Sequence, residues 1–131
     1  MDIEPVVVRQ SERRWETWPE GSGRGPAAWK TLISAPTTPT SELTLGVSRL
    51  PPGGTLPTHH HAQAEAYLVL GGRGVVTVKG VAHEVGPGDA VFIPSDAPHA
   101  VHNPAEEDLQ VAYVLAADGF ADVKYAFEAG D

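Results

Sequence analysis

Cysteine is absent from this chain of 131 residues. Disulfides, thiolate metal ligands and cysteine nucleophiles are excluded with it. Any metal site must therefore be assembled from histidine and carboxylate. No apolar run reaches the roughly 18 residues of a membrane-spanning helix, so no membrane partner is expected. Lysine and arginine number 9 against 17 acidic residues, a net charge of −8. No basic stripe exists to neutralise phosphates, which argues against nucleic acid. The opening Met-Asp-Ile-Glu-Pro lacks the basic start and apolar stretch of a secretory signal, and a cytoplasmic location is expected. Tryptophan is confined to Trp15, Trp18 and Trp29. The reading preferred for these three is cover for one end of the domain or a subunit contact. The sharper alternative is that one of them lines a pocket. The length suits one domain with a real core.

What is present is a succession of short apolar runs broken by Gly and Pro. Leu43 to Leu50 alternates with period two, as a half-buried strand does. Arg49 shares its parity with Leu43, Leu45 and Val47. It either reaches the interior as a carboxylate fork or extends to solvent, and the second is preferred. Lys30 carries a similar ambiguity. Further strands are expected at 29–34, 56–61, 65–70, 75–78, 81–85, 90–93, 100–103 and 109–115. Pro51-Pro52-Gly53-Gly54, Gly71 to Gly74 and Gly86-Pro87-Gly88 mark turns between them. Many short strands at this spacing predict a sandwich or barrel. The first 30 residues read as an arm that packs on the barrel or on a partner subunit, with a short edge strand at Val6–Val8. A helical turn or two is expected between Ser11 and Trp18, with Ser11 as N-cap. Residues 31–131 form the barrel, whose tail, with Val123, Tyr125 and Phe127 in alternation, adds a last strand across its mouth.

The chemistry concentrates between Gly53 and Asn103. One block reads Gly53-x5-His59-x-His61-x3-Glu65-x6-Gly72, and a second reads Gly88-x5-Pro94-x-Asp96-x2-His99-x3-Asn103. In a strand, residues two apart share a face, so His59 and His61 point together while His60 points away. Tyr67 shares parity with Glu65. Three neutral imidazoles and a carboxylate suit a divalent first-row metal, with Fe, Mn, Ni, Zn, Co and Cu all admissible. If that metal is six-coordinate, four protein ligands leave two positions for water or substrate. His60, His83 and His102 are expected outside the ligand set, on parity and distance along the chain.

The two blocks resemble the paired signature motifs of the cupin superfamily, small double-stranded β-helix or jelly-roll barrels. Every landmark but one stands at the family's spacing. Where the family has Gly two residues after the proline, this chain has Asp96, a residue that tolerates the left-handed backbone of a turn. The resemblance implies an all-β fold with His59, His61, Glu65 and His99 as metal ligands. Among small single-domain cupins the chain looks like the dimethylsulfoniopropionate lyases. That likeness implies a small carboxylate-bearing substrate held at the metal, with Tyr67 or Tyr125 as the catalytic base. An aromatic residue such as Phe92 or Trp29 would face the sulfonium. Two alternatives stay open on the same ligands: an Fe(II)-dependent dioxygenase, and a non-enzymatic binder of small molecules or sugars. A homodimer is expected, because the arm holds three Trp and barrel edges need covering.

Overall fold

The computed structural model describes residues 3–128. Residues 1–2 of the expected arm and 129–131 of the expected barrel lie outside the described residues. The strands are β1 (Glu16–Thr17), β2 (Ala28–Ile33), β3 (Thr44–Leu50), β4 (Thr55–His60), β5 (Glu65–Gly71), β6 (Gly74–Val78), β7 (Val81–Val85), β8 (Ala90–Ile93), β9 (His99–His102), β10 (Leu109–Leu115) and β11 (Ala126–Phe127). Two short 3-10 turns, Gln10–Glu12 and Phe120–Asp122, lie near the ends.

Two antiparallel sheets face each other, in the orders β1-β2-β3-β10-β5-β8 and β11-β4-β9-β6-β7. Strands distant in sequence are neighbours in space, the winding of a jelly-roll barrel. The fold is all-β, as expected. Alternation is clearest in β5, where Glu65, Tyr67 and Val69 are buried while Ala66, Leu68 and Leu70 are exposed. Lys79 and Gly80, with φ of 50° and 79°, make the two-residue turn between β6 and β7. Positive φ at both central residues matches the twist of a tight hairpin. Asp96 takes φ 62° in the turn before β9, the left-handed conformation expected of it.

Between the sheets Val69, Val76, Ile93, Leu109 and Leu115 are almost wholly buried. Each such side chain contributes roughly 1.5–3 kcal/mol through burial. Asn103, from the second motif, is buried too. Its Nδ2 donates to the carbonyls of Leu50 and Glu107 at 2.9 and 2.8 Å, and its Oδ1 accepts from Ala105 N–H at 3.0 Å. Asn103 thus ties the end of β3 to the loop after β9.

Arg49 extends outward, as preferred, and the apolar residues that share its parity face outward with it. Opposed residues of an antiparallel pair share a face. Leu109 and Tyr113 are buried in the core, and they stand opposite Leu50 and Gly46. The inward residues of β3 are therefore Thr44, Gly46, Ser48 and Leu50, and Leu43 is more than half exposed. Arg49 faces out, and its guanidinium stacks 4.1 Å from the Trp15 ring, with Lys30 Nζ at 5.0 Å from the same ring. Leu45 and Val47 lie on the outer face, Val47 buried there, because the inner one carries Thr44, Gly46 and Ser48, which leave room for Tyr113, with Leu50 at its end.

The arm also departs from expectation. Val6–Val8 forms no strand, and Val7 is 78% exposed. The edge beside β2 is taken instead by Glu16–Thr17, so the valines find no partner. The helical segment is a single turn over Gln10–Glu12, with Arg9 rather than Ser11 before it. Trp15 to Trp18 is not helical, because β1 places Trp15 outside and Trp18 inside. In the tail, only Ala126 and Phe127 pair as a strand, against His60 and His59 of β4.

Candidate metal centre

β4 and β9 run side by side with His59 directly opposite His99. His61 follows just past the end of β4 on the same parity as His59, and both are 3% exposed. His99 is buried as well. Each ring is oriented by its own chain. Nδ1 of His59 lies 2.8 Å from the Pro57 carbonyl, that of His61 2.9 Å from Gln63, and that of His99 2.9 Å from Ala97. A carbonyl only accepts, so each Nδ1 carries a proton, and in the neutral ring Nε2 is then the nitrogen with a free lone pair. One ring nitrogen from each of the three histidines lies within 4.8 Å of the others.

Glu65 enters from the opposite sheet. Its Oε1 stands 3.3 Å from Nε2 of both His61 and His99. Neither nitrogen makes a hydrogen bond of good geometry, and both are buried. Buried imidazole lone pairs aimed at one point and left without a donor are costly unless a ligand takes them up. The donor set, three imidazoles and an adjoining carboxylate, fits a divalent first-row metal. His60, His83 and His102 stay outside this cluster, and His102 Nδ1 is engaged 2.8 Å from Thr55 Oγ1.

The electrostatics favour a neutral His59 and an ionised Glu65, and without a metal they favour a proton on His61. Burial, reinforced by neighbouring His99, lowers His59 to about 4. Burial opposes the charge on Glu65, but His61 and His99 outweigh it and hold the carboxyl below the usual carboxylate range. For His61, burial works against the charged form and Glu65 more than offsets it, so the ring is raised.

Beside the centre lies a chamber of about 380 Å³ whose wall includes Trp18, Trp29, Tyr67, Tyr113 and Tyr125 together with His59 and Glu65. Tyr67 shares the inward face of β5 with Glu65, and its ring centroid is 6.4 Å from that of His99. Tyr125 comes from the tail, 5.9 Å from His59 and 5.5 Å from His61 between centroids. Burial first, and then the Glu65 charge, pushes both phenols upward.

Trp29 faces the chamber, whereas Phe92 is 67% exposed on the outside of β8, opposite Ala66. Phe92 therefore cannot face a substrate here. The pocket-lining alternative holds for Trp18 and Trp29, while Trp15 packs on the outer surface. Tyr113 is an aromatic residue of the wall that the sequence motifs do not mark, although it shares parity with Leu109 and Val111.

The family profile described as "Cupin domain" matches residues 46–115. The chain belongs to the cupin family. This cupin is 40% identical over 106 residues to dimethylsulfoniopropionate lyase DddW of Ruegeria pomeroyi, spanning 80% of this chain and 68% of that protein. Among solved structures, a dimethylsulfoniopropionate lyase from the study of RdDddP and RnDddQII superposes with a TM-score of 0.74 at 21% identity, over 88% of this chain and 62% of that one. The polyketide cyclase RemF of Streptomyces resistomycificus superposes with a TM-score of 0.78 at 24% identity, over 98% and 89%. A lyase and a cyclase share this barrel, so the fold alone does not choose the reaction.

Proposed function

We propose that this cupin is a metal-dependent lyase that cleaves dimethylsulfoniopropionate, or a close analogue, into dimethyl sulfide and an unsaturated acid. The observation that carries this reading is the 40% identity to DddW over 106 residues. A stretch of that length in a chain of 131 necessarily takes in His59 to His99. The chamber supports it, since its aromatic wall suits a methylated cation.

In this reading His59, His61, Glu65 and His99 hold one divalent transition metal, drawn from Fe, Mn, Ni, Zn, Co or Cu. The bound metal supplies positive charge, which anchors the substrate carboxylate and favours an ionised phenol. Tyr67 takes the proton from the carbon next to the carboxylate. The electron pair of that C–H bond forms the new C=C bond, and the C–S pair leaves with sulfur as dimethyl sulfide. Tyr125 is the second candidate for the base, on the opposite wall of the chamber. Residues 1–30 serve as an arm that completes the chamber of a barrel formed by 31–131. A homodimer is proposed from the exposed outer face of β5 and β8, where Leu68, Leu70 and Phe92 lie open.

The test is dimethyl sulfide release from protein reconstituted with Mn, Fe, Ni or Zn, without oxygen. Release that requires metal and is lost in Tyr67→Phe supports the lyase and its base. No release with any metal, in protein shown to be loaded, overturns the lyase. Turnover of a substrate only in oxygen would indicate a dioxygenase instead, and binding without conversion a simple binder.

A further inference from the structure

The six-stranded sheet ends in a strand that the motifs do not account for. In β1, Glu16 stands directly opposite Trp29. Opposed residues share a face, so the Glu16 carboxylate lies on the chamber side with Trp29 and, two residues on, Trp18. All three line the chamber. Thr31 Oγ1 donates to Glu16 Oε2 at 2.7 Å. The second carboxylate oxygen is left with accepting capacity. Among the described residues Glu16 has no salt-bridge partner.

Glu16 is exposed at this end, and the other charged residues of the wall are engaged elsewhere. The other carboxylate of the wall is Glu65, which is turned to His61 and His99. Arg49 also contributes to the wall, but its guanidinium is stacked on Trp15 at 4.1 Å. Arg24 sits 4.8 Å from the Trp18 ring and 4.7 Å from that of Phe127 and is not part of the wall, though its charge acts on Tyr125. The Trp18 and Trp29 rings, 5.0 Å apart and tilted by 55°, both line the chamber. Indole is the aromatic group that attracts cations best.

We propose that Glu16, with Trp18 and Trp29, forms a subsite for a positively charged group. The chamber then selects a zwitterion with a carboxylate at one end and a sulfonium or quaternary ammonium at the other. The indole faces take up the methyl groups and Glu16 supplies the counter-charge, which makes it a specificity-determining residue. The inference rests on the reading above, in which the carboxylate end is held at the metal. A purely structural Glu16, present only to tie β1 to Thr31, would need an acceptor but no charge. Glutamine would serve that role equally well.

The experiment is calorimetric titration of metal-loaded protein with two ligands. One is the trimethylammonium analogue of dimethylsulfoniopropionate, and the other is its uncharged tert-butyl isostere. Wild type is expected to prefer the cation about tenfold. Glu16→Gln should lose most of that preference, while Glu16→Asp and Thr31→Val should keep it. An unchanged preference in Glu16→Gln, or none in wild type, overturns the subsite. So does Thr31→Val losing as much as Glu16→Gln, since that assigns the effect to strand anchoring. Dimethyl sulfide release on the same samples separates the two proposals. Protein that turns over substrate yet keeps its preference in Glu16→Gln loses only the subsite. Protein that binds neither ligand and releases nothing loses both.

Discussion

Phe127 stacks on His59, with ring centroids 4.9 Å apart and planes inclined by 27°. The contact follows from register, since the tail strand β11 sets Phe127 directly opposite His59. The last described strand thereby braces a side chain of the candidate metal centre on a distant strand. Removing that brace leaves all donor atoms in place. Phe127→Ala is expected to weaken metal binding about three- to tenfold, read by competition with a chromogenic chelator.

Loss of a donor should act far more strongly. His99→Ala removes the ring that faces both His59 and Glu65. Metal affinity is expected to fall by at least about a hundredfold, and stoichiometric metal should disappear after dialysis, measured by elemental mass spectrometry. Glu65→Gln takes away the charge and keeps the shape, so it should retain the fold and lose a large part of the affinity.

The two tyrosines are separable by kinetics. Tyr67→Phe is expected to lower the rate of dimethyl sulfide release by about 10²–10⁴-fold at unchanged metal content. Tyr125→Phe should cost less if Tyr67 is the base. The reverse order of effects would transfer the role to Tyr125.

Asn103 offers a test of the scaffold independent of any ligand. Its three hydrogen bonds satisfy a buried backbone group of Leu50 and part-buried ones of Glu107 and Ala105. Asn103→Ala is expected to destabilise by about 2–3 kcal/mol, because those groups lose their partner. Thermal unfolding should register a drop in Tm of roughly 5–10 °C.

The exposed outer face of β5 and β8 carries the proposal of a dimer. Phe92 is its most exposed large residue at 67%. Phe92→Asp is expected to shift the chain from dimer to monomer in light scattering. A monomeric wild type would remove this proposal and leave the lyase reading untouched.

Much of this architecture was legible in the residues before any coordinates. Period-two alternation placed Glu65, Tyr67 and Val69 on one face, because a strand has no freedom to do otherwise. His59 and His61 shared a face for the same reason. Gly and Pro marked the turns through their own backbone preferences, and Asp96 could be assigned a left-handed turn from its chemistry alone. These are local constraints, written within a few residues of where they act.

What tertiary structure alone decided concerns segments whose conformation is chosen by a partner. Leu45 and Val47 lie on the outer face of β3, since the inward face is set by room for Tyr113 across Gly46 and not by hydrophobicity. Val6–Val8 has the propensity of a strand and no edge to pair with, whereas Glu16–Thr17 has weak propensity and finds β2. Trp18 from one end of the chain and Tyr125 from the other meet with ring centroids 5.5 Å apart beside the candidate metal centre. Their sequence separation hides that contact, because what brings them together is burial gained by the whole fold, not a preference held by either segment.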